Sequence, residues 1–92
     1  MTDMLYTVVC EFHGGTYVAQ VRANDEIQAV RHWADLVRTD RPIPRVSAHL
    51  ARNAVRDLES HGLTPLDGLQ GVWCFTAIVG QDVALGNLIL SS

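Results

Sequence analysis

The chain has 92 residues, of which 48% are hydrophobic, 18% charged and 7% aromatic, and its formal net charge is −3. One small domain spanning residues 1–92 is the expectation; the apolar share excludes a disordered or fibrous chain, and two cysteines make no disulfide scaffold. No run reaches the ~18 uninterrupted apolar residues of a membrane span, and the opening Met1-Thr2-Asp3-Met4-Leu5 lacks a basic leader, so a cytoplasmic chain without membrane contact is expected.

Residues 5–12 and 16–23 are rich in β-branched and aromatic side chains and read as two strands. Between them, His13-Gly14-Gly15-Thr16 reads as a tight turn, with the glycine pair supplying positive φ angles. Closure there sets Phe12 against Tyr17, Cys10 against Ala19, Val8 against Val21 and Tyr6 against Ala23. One face of this hairpin is then wholly apolar and marks the core.

Asn24 reads as a helix N-cap followed by the first-turn acids Asp25 and Glu26. Ile27, Val30, Trp33, Ala34 and Val37 then recur at helical spacing, giving a helix over about 25–39 with Trp33 as a core anchor. Pro42 and Pro44 break it. Pro44 suits the first turn of a second helix, whose apolar stripe is Val46, Leu50, Ala54 and Leu58, flanked by Ala51 and Val55. Gly62 is placed to end that helix. Residues 63–71, with Pro65, Gly68 and Gly71, read as an ordered connection.

Residues 72–79 and 83–90 form a second hairpin turning at Gly80-Gln81, which sets Phe75 beside Gly86 and Cys74 beside Asn87. Both faces of this hairpin are apolar: Trp73, Phe75 and Leu88 on one, Val72, Ile78, Leu85 and Ile89 on the other. The order ββααββ predicts an α+β domain, a four-stranded antiparallel sheet made of two hairpins with two helices packed on one face. Two helices cover only one face, so the face carrying Val72, Ile78, Leu85 and Ile89 is expected to bury itself against a second copy of the chain.

Charge is segregated. All seven basic residues are arginines and lie between Arg22 and Arg56 with four acids, a local balance of +3, while the flanks hold six acids and no base, a balance of −6. On the second helix, Arg45, His49, Arg52 and Arg56 fall within about a 60° arc, a basic rail roughly 17 Å long. Such a rail fits an acidic protein partner; the alternative is a nucleic-acid or anion binder. The acidic balance of the whole chain and the absence of an exposed aromatic platform disfavour nucleic acid, since Tyr6, Phe12 and Tyr17 are assigned to the core.

Little else points to chemistry. Cys10 and His13 are three apart but fall on opposite strand faces, and Cys10 reads as a buried apolar residue. Among the four histidines, only His32 has a carboxylate (Asp35) at helical metal-site spacing, too few ligands for a metal, and His61 reads as a partner for a helix C-terminus. No nucleophile elbow, paired carboxylates or phosphate loop stands out, so neither an enzyme nor a cofactor is expected. The remaining alternative is a ligand-binding or enzymatic site at the dimer seam near Cys74 and Asn87.

Residues 5–38 resemble the start of the HicB-type antitoxin domain in Tyr6-Thr7-Val8-Val9, in Gly15-Thr16-Tyr17-Val18-Ala19 and in the helix that follows. The Pro-Leu-Pro-Gly segment and extra strand before that family's helix have no counterpart here, nor does the family extend over the last 50 residues. The resemblance supports no family assignment and keeps a toxin-neutralising, immunity or regulatory protein among the candidates. The sequence reading as a whole is a non-enzymatic, homodimeric interaction module.

Overall fold

The computed structural model describes residues 3–92, which form five strands and two helices. The first hairpin, β1 (Met4–Phe12) and β2 (Gly15–Ala23), pairs Cys10 with Tyr17, Val8 with Ala19 and Tyr6 with Val21. This is two residues away from the predicted register. The turn is His13-Gly14, both left-handed at φ 51° and 76°, as a type I′ turn requires. Gly15 instead begins β2, with the Tyr17 ring lying against it. An even slip leaves every side chain on its predicted face, so Tyr6, Val8, Cys10 and Phe12 are buried as expected.

Helix α1 (Glu26–Asp40) is capped by Asp25 rather than Asn24: the Asp25 carboxylate accepts the Gln28 N–H at 2.7 Å, while the Asn24 N–H donates to Gln28 Oε1. Its buried stripe is Ala29, Val30, Trp33, Ala34 and Val37, and the expected Ile27 sits at the stripe's margin, 38% exposed. Arg41, in the left-handed conformation, closes the helix by donating its N–H to Val37 O.

The second helix, α2 (Ser47–His61), starts three residues later than Pro44, because Arg45 is left-handed at φ 69° and cannot belong to a helical turn. Ser47 is buried and exchanges hydrogen bonds with both backbone groups of Ile43, which pins the inter-helix loop into the core. Leu50, Ala51, Ala54 and Leu58 are buried, and Gly62 ends the helix with its N–H on Leu58 O.

Residues 64–65 form a fifth strand, β3 (Thr64–Pro65), where the sequence reading has only a connection. Two residues carry no periodicity, so only tertiary pairing with Cys74 and Trp73 reveals it. β4 (Val72–Val79) and β5 (Asp82–Leu90) pair in the predicted register, Phe75 on Gly86 and Cys74 on Asn87. The Phe75 ring covers Gly86 so closely that an added Cβ would fall among its atoms.

All pairing is antiparallel, in the order β2-β1-β5-β4-β3, with the two hairpins joined through β1 and β5. Both helices pack on one face, α1 chiefly over β2 and α2 chiefly over β4. The core between sheet and helices includes Trp33, 2% exposed and edge-to-face with Phe75. Trp73 packs at its margin, with its ring centroid 6.3 Å from that of Tyr6.

Candidate interaction surfaces

Strand alternation sends one set of side chains to the helices and the other to the opposite face, and none of the described elements covers that second face. Pairing across the sheet arranges it in rows. One row runs Val18, Val9, Asn87, Cys74; the next on one side is Thr16, Glu11, Leu85, Thr76, and on the other Gln20, Thr7, Ile89, Val72. Val83 and Ile78 extend it at one end and Leu5 and Arg22 at the other. Val18 is 62% exposed, Ile78 59%, Val83 58% and Leu85 42%. The four residues predicted for this face, Val72, Ile78, Leu85 and Ile89, therefore do lie together on it. The hairpin alternation that found them also contained Leu5, Val9 and Val18, which belong to the same surface.

Asn87 occupies the central strand of this face, between Val9 and Cys74. Among the described residues its side-chain amide has no hydrogen-bond partner. Polar order on the face is confined to one corner, where Gln20 Nε2 donates to Thr7 Oγ1 at 3.0 Å and the Thr7 and Ser91 hydroxyls meet at 2.6 Å.

The two cysteines fall on opposite faces. Cys10 is buried against the helices, and burial, with a smaller contribution from the Glu11 charge, pushes its thiol up to about 11. Cys74 is half-buried on the open face beside Asn87. The pair named for a seam site is thus adjacent, with no acid–base residue in the same row.

The basic rail survives in part. His49, Arg52 and Arg56 are exposed on α2, but Arg45 precedes the helix and leaves the rail's straight line. Among the described residues, no carboxylate lies within ion-pair distance of Arg45, Arg52 or Arg56; Glu59, one turn further on, is taken by Arg31 of α1 at 3.3 Å.

Two histidine contacts escape the sequence reading. His61 pairs with Asp57, four residues before it, at 3.2 Å, a spacing missed by looking only forward from each histidine. His13 reaches Asp82 at 2.8 Å and stacks on Phe12, tying the ends of the two hairpins together. His32 does not meet Asp35, which takes Arg38 instead; its Nδ1 donates to the Arg22 carbonyl at 2.8 Å. Asp57 also accepts the Thr76 N–H, and Asn53 Nδ2 donates to the Ile78 carbonyl, so α2 covers the outer edge of β4 beyond β3. No group of three or more metal-ligating side chains occurs among the described residues.

Among the described residues no helix is long and apolar enough to cross a membrane. Comparison with protein-family models, with curated proteins and with solved structures finds no match.

Proposed function

We propose that this chain is a non-enzymatic interaction module that pairs with a second copy through the open face of its sheet. In that dimer the α2 basic face remains free for an acidic protein partner. The observation that carries the reading is the set of apolar side chains Val18, Val9, Leu85, Ile89, Ile78 and Val83 on one sheet face, with no described element over it. Exposed apolar area on this scale marks an interface more often than a solvent face. Its size supports the same reading. Four strands about 4.8 Å apart and rows about 7 Å apart give a projected face of roughly 500 Å². Two such faces pressed together bury on the order of 1,000 Å², where specific interfaces begin. Two aligned sheets meet at about −30°, which lets the β5 strands of both copies cross near the middle.

Sedimentation velocity tests this directly. The wild-type chain is expected near twice its 10.1 kDa mass at micromolar concentration. Leu85→Asp or Ile78→Asp should weaken association about a hundredfold, because each puts an unpaired carboxylate inside the interface. Arg52→Glu combined with Arg56→Glu should leave it unchanged. A chain that remains at 10.1 kDa even near millimolar concentration sinks the reading.

A further inference from the structure

The sheet has two edges, and the chain treats them differently. At β4, the strand β3 and the side chains of Asn53 and Asp57 occupy the outer backbone groups. At β2 nothing comparable exists over most of its length. Phe12 and Gly15 flank the two-residue turn and pair with each other, so Gly15, Tyr17, Ala19 and Val21 give their backbone groups to β1. Thr16, Val18, Gln20 and Arg22 turn theirs outward. His32 takes the Arg22 carbonyl. Among the described residues nothing takes the outward N–H or C=O groups of Thr16, Val18 and Gln20.

The same stretch lines a cleft between β2 and α1. Thr16, Tyr17, Val18 and Ala19 form one wall, and Trp33, Leu36, Val37, Pro42 and Ile43 form much of the rest, around about 350 Å³. It takes a bulky apolar side chain. The charged residue lining it is Asp40, at the C-terminus of α1, where a carboxylate adds to the negative end of the helix dipole.

We infer that the β2 edge receives an extended segment of a partner protein, which continues the sheet at Thr16–Gln20, inserts an apolar side chain into the Trp33 cleft and sets a basic neighbour toward Asp40. Strand addition of this kind takes affinity from main-chain hydrogen bonds and specificity from alternate side chains. The fold argues for a bare strand over a second copy. Helix α1 lies over β2 itself, and a second copy's β2 would bring its own α1 to within about 4.8 Å of the first. Packed helices need about 8–10 Å. An isolated extended segment carries no such helix. The inference is independent of the open-face dimer, which uses the other side of the sheet.

A random dodecapeptide phage library panned against the intact chain tests it. Enriched peptides are expected to carry apolar residues at alternate positions, a basic residue beside the anchor and no central proline. Methylating their backbone nitrogens one at a time should weaken binding roughly tenfold at every second residue and spare the residues between, a pattern that leaves the protein untouched. Val18→Pro, an edge position where proline is tolerated in a strand, should weaken binding by at least as much while far-ultraviolet circular dichroism stays the same. Leu85→Asp should bind the peptides as the wild type does, so that loss of the dimer and loss of the edge site are read separately. Failure to enrich any peptide overturns the inference, as does methylation sensitivity without alternation. A fall in sedimenting mass when saturating peptide is added also overturns it, by giving the edge to a second copy.

Discussion

Both faces of this sheet carry large apolar side chains, and they are used in opposite ways. Toward the helices, Tyr6, Val8, Cys10, Phe75 and Leu88 are buried to within a few per cent; away from them, Val18, Ile78, Val83 and Leu85 stand open. The open face adds Thr7, Glu11, Thr16, Gln20 and Asn87, but its apolar residues are of the kinds found in the core. What differs is cover: two helices of 15 residues suffice for one side of four long strands and leave none for the other. An apolar strand face therefore announces that it will be covered, without saying by what. Adjacent residues on one strand sample both environments, and this makes the contrast testable with single substitutions.

The largest contrast lies between Leu85 and Gly86. Gly86 sits under the Phe75 ring, and the position a Cβ would occupy is already filled by ring atoms. Gly86→Ala must push Phe75 away, and Phe75 is held edge-to-face against Trp33. The expected loss is about 3 kcal/mol of unfolding free energy, the upper range for overpacking a tight site, read by urea denaturation. Leu85→Asp, one residue away on the other face, should change the stability of the monomer by less than about 1 kcal/mol. Equal losses at the two positions would mean that the open face is already covered within one chain.

The second contrast is between the cysteines. At pH 8, Cys74 should react with an aromatic disulfide reagent in the native Leu85→Asp monomer, and Cys10 only after unfolding. The raised Cys10 pKa also has a sign. Below pH 9, its ordinary value, the thiol is neutral in both states and burial costs nothing through ionisation. Between pH 9 and about 11 the unfolded chain ionises first, so stability falls as pH rises. The expected loss over that window is about 2 kcal/mol, and Cys10→Ala should flatten it. A Cys10→Ala curve as steep as the wild type would assign the alkaline loss to another group, with Tyr6, also raised by burial, the next to test.

How much of this was legible beforehand follows from what each feature depends on. The helices, the strand faces and the second hairpin's register rest on periodicity and on glycine-bearing turns, which are local. The first hairpin's register is ambiguous in sequence because three candidate turn pairs lie in His13-Gly14-Gly15-Thr16, and His13 adopts the positive φ that a glycine pair offers more readily. β3 and the bonds from Asn53 and Asp57 to β4 depend on chain segments brought together only by folding. Arg45 lies off the basic rail because it turns left-handed before the helix begins at Ser47, which the first-turn preference of Pro44 does not reveal. The cleft beside β2 has no sequence signal at all, since its walls come from residues 16–19 and 33–43 and its openness from the absence of a neighbouring strand.

The smallest contrast, between Asn87 and Leu88, bears most closely on the dimer. Leu88 is fully buried, while Asn87, on the same central strand, faces outward among Val9 and Cys74 with its amide unbonded by any described residue. In the monomer that amide is partly open to solvent, so Asn87→Val should gain a few tenths of a kcal/mol to about 1 kcal/mol from better strand propensity. In a dimer whose β5 strands cross near the middle, the two Asn87 amides come within reach of each other and can bond reciprocally. One buried amide pair allows one alignment of the faces, because every slipped alignment leaves both amides unmet against apolar side chains. Asn87→Val removes that penalty. The expected result is a dimer at least as tight by sedimentation, with heteronuclear NMR spectra showing more than one set of signals for β5 and β1. A single set of signals in Asn87→Val would show that the apolar rows fix the alignment alone and that Asn87 adds nothing to it.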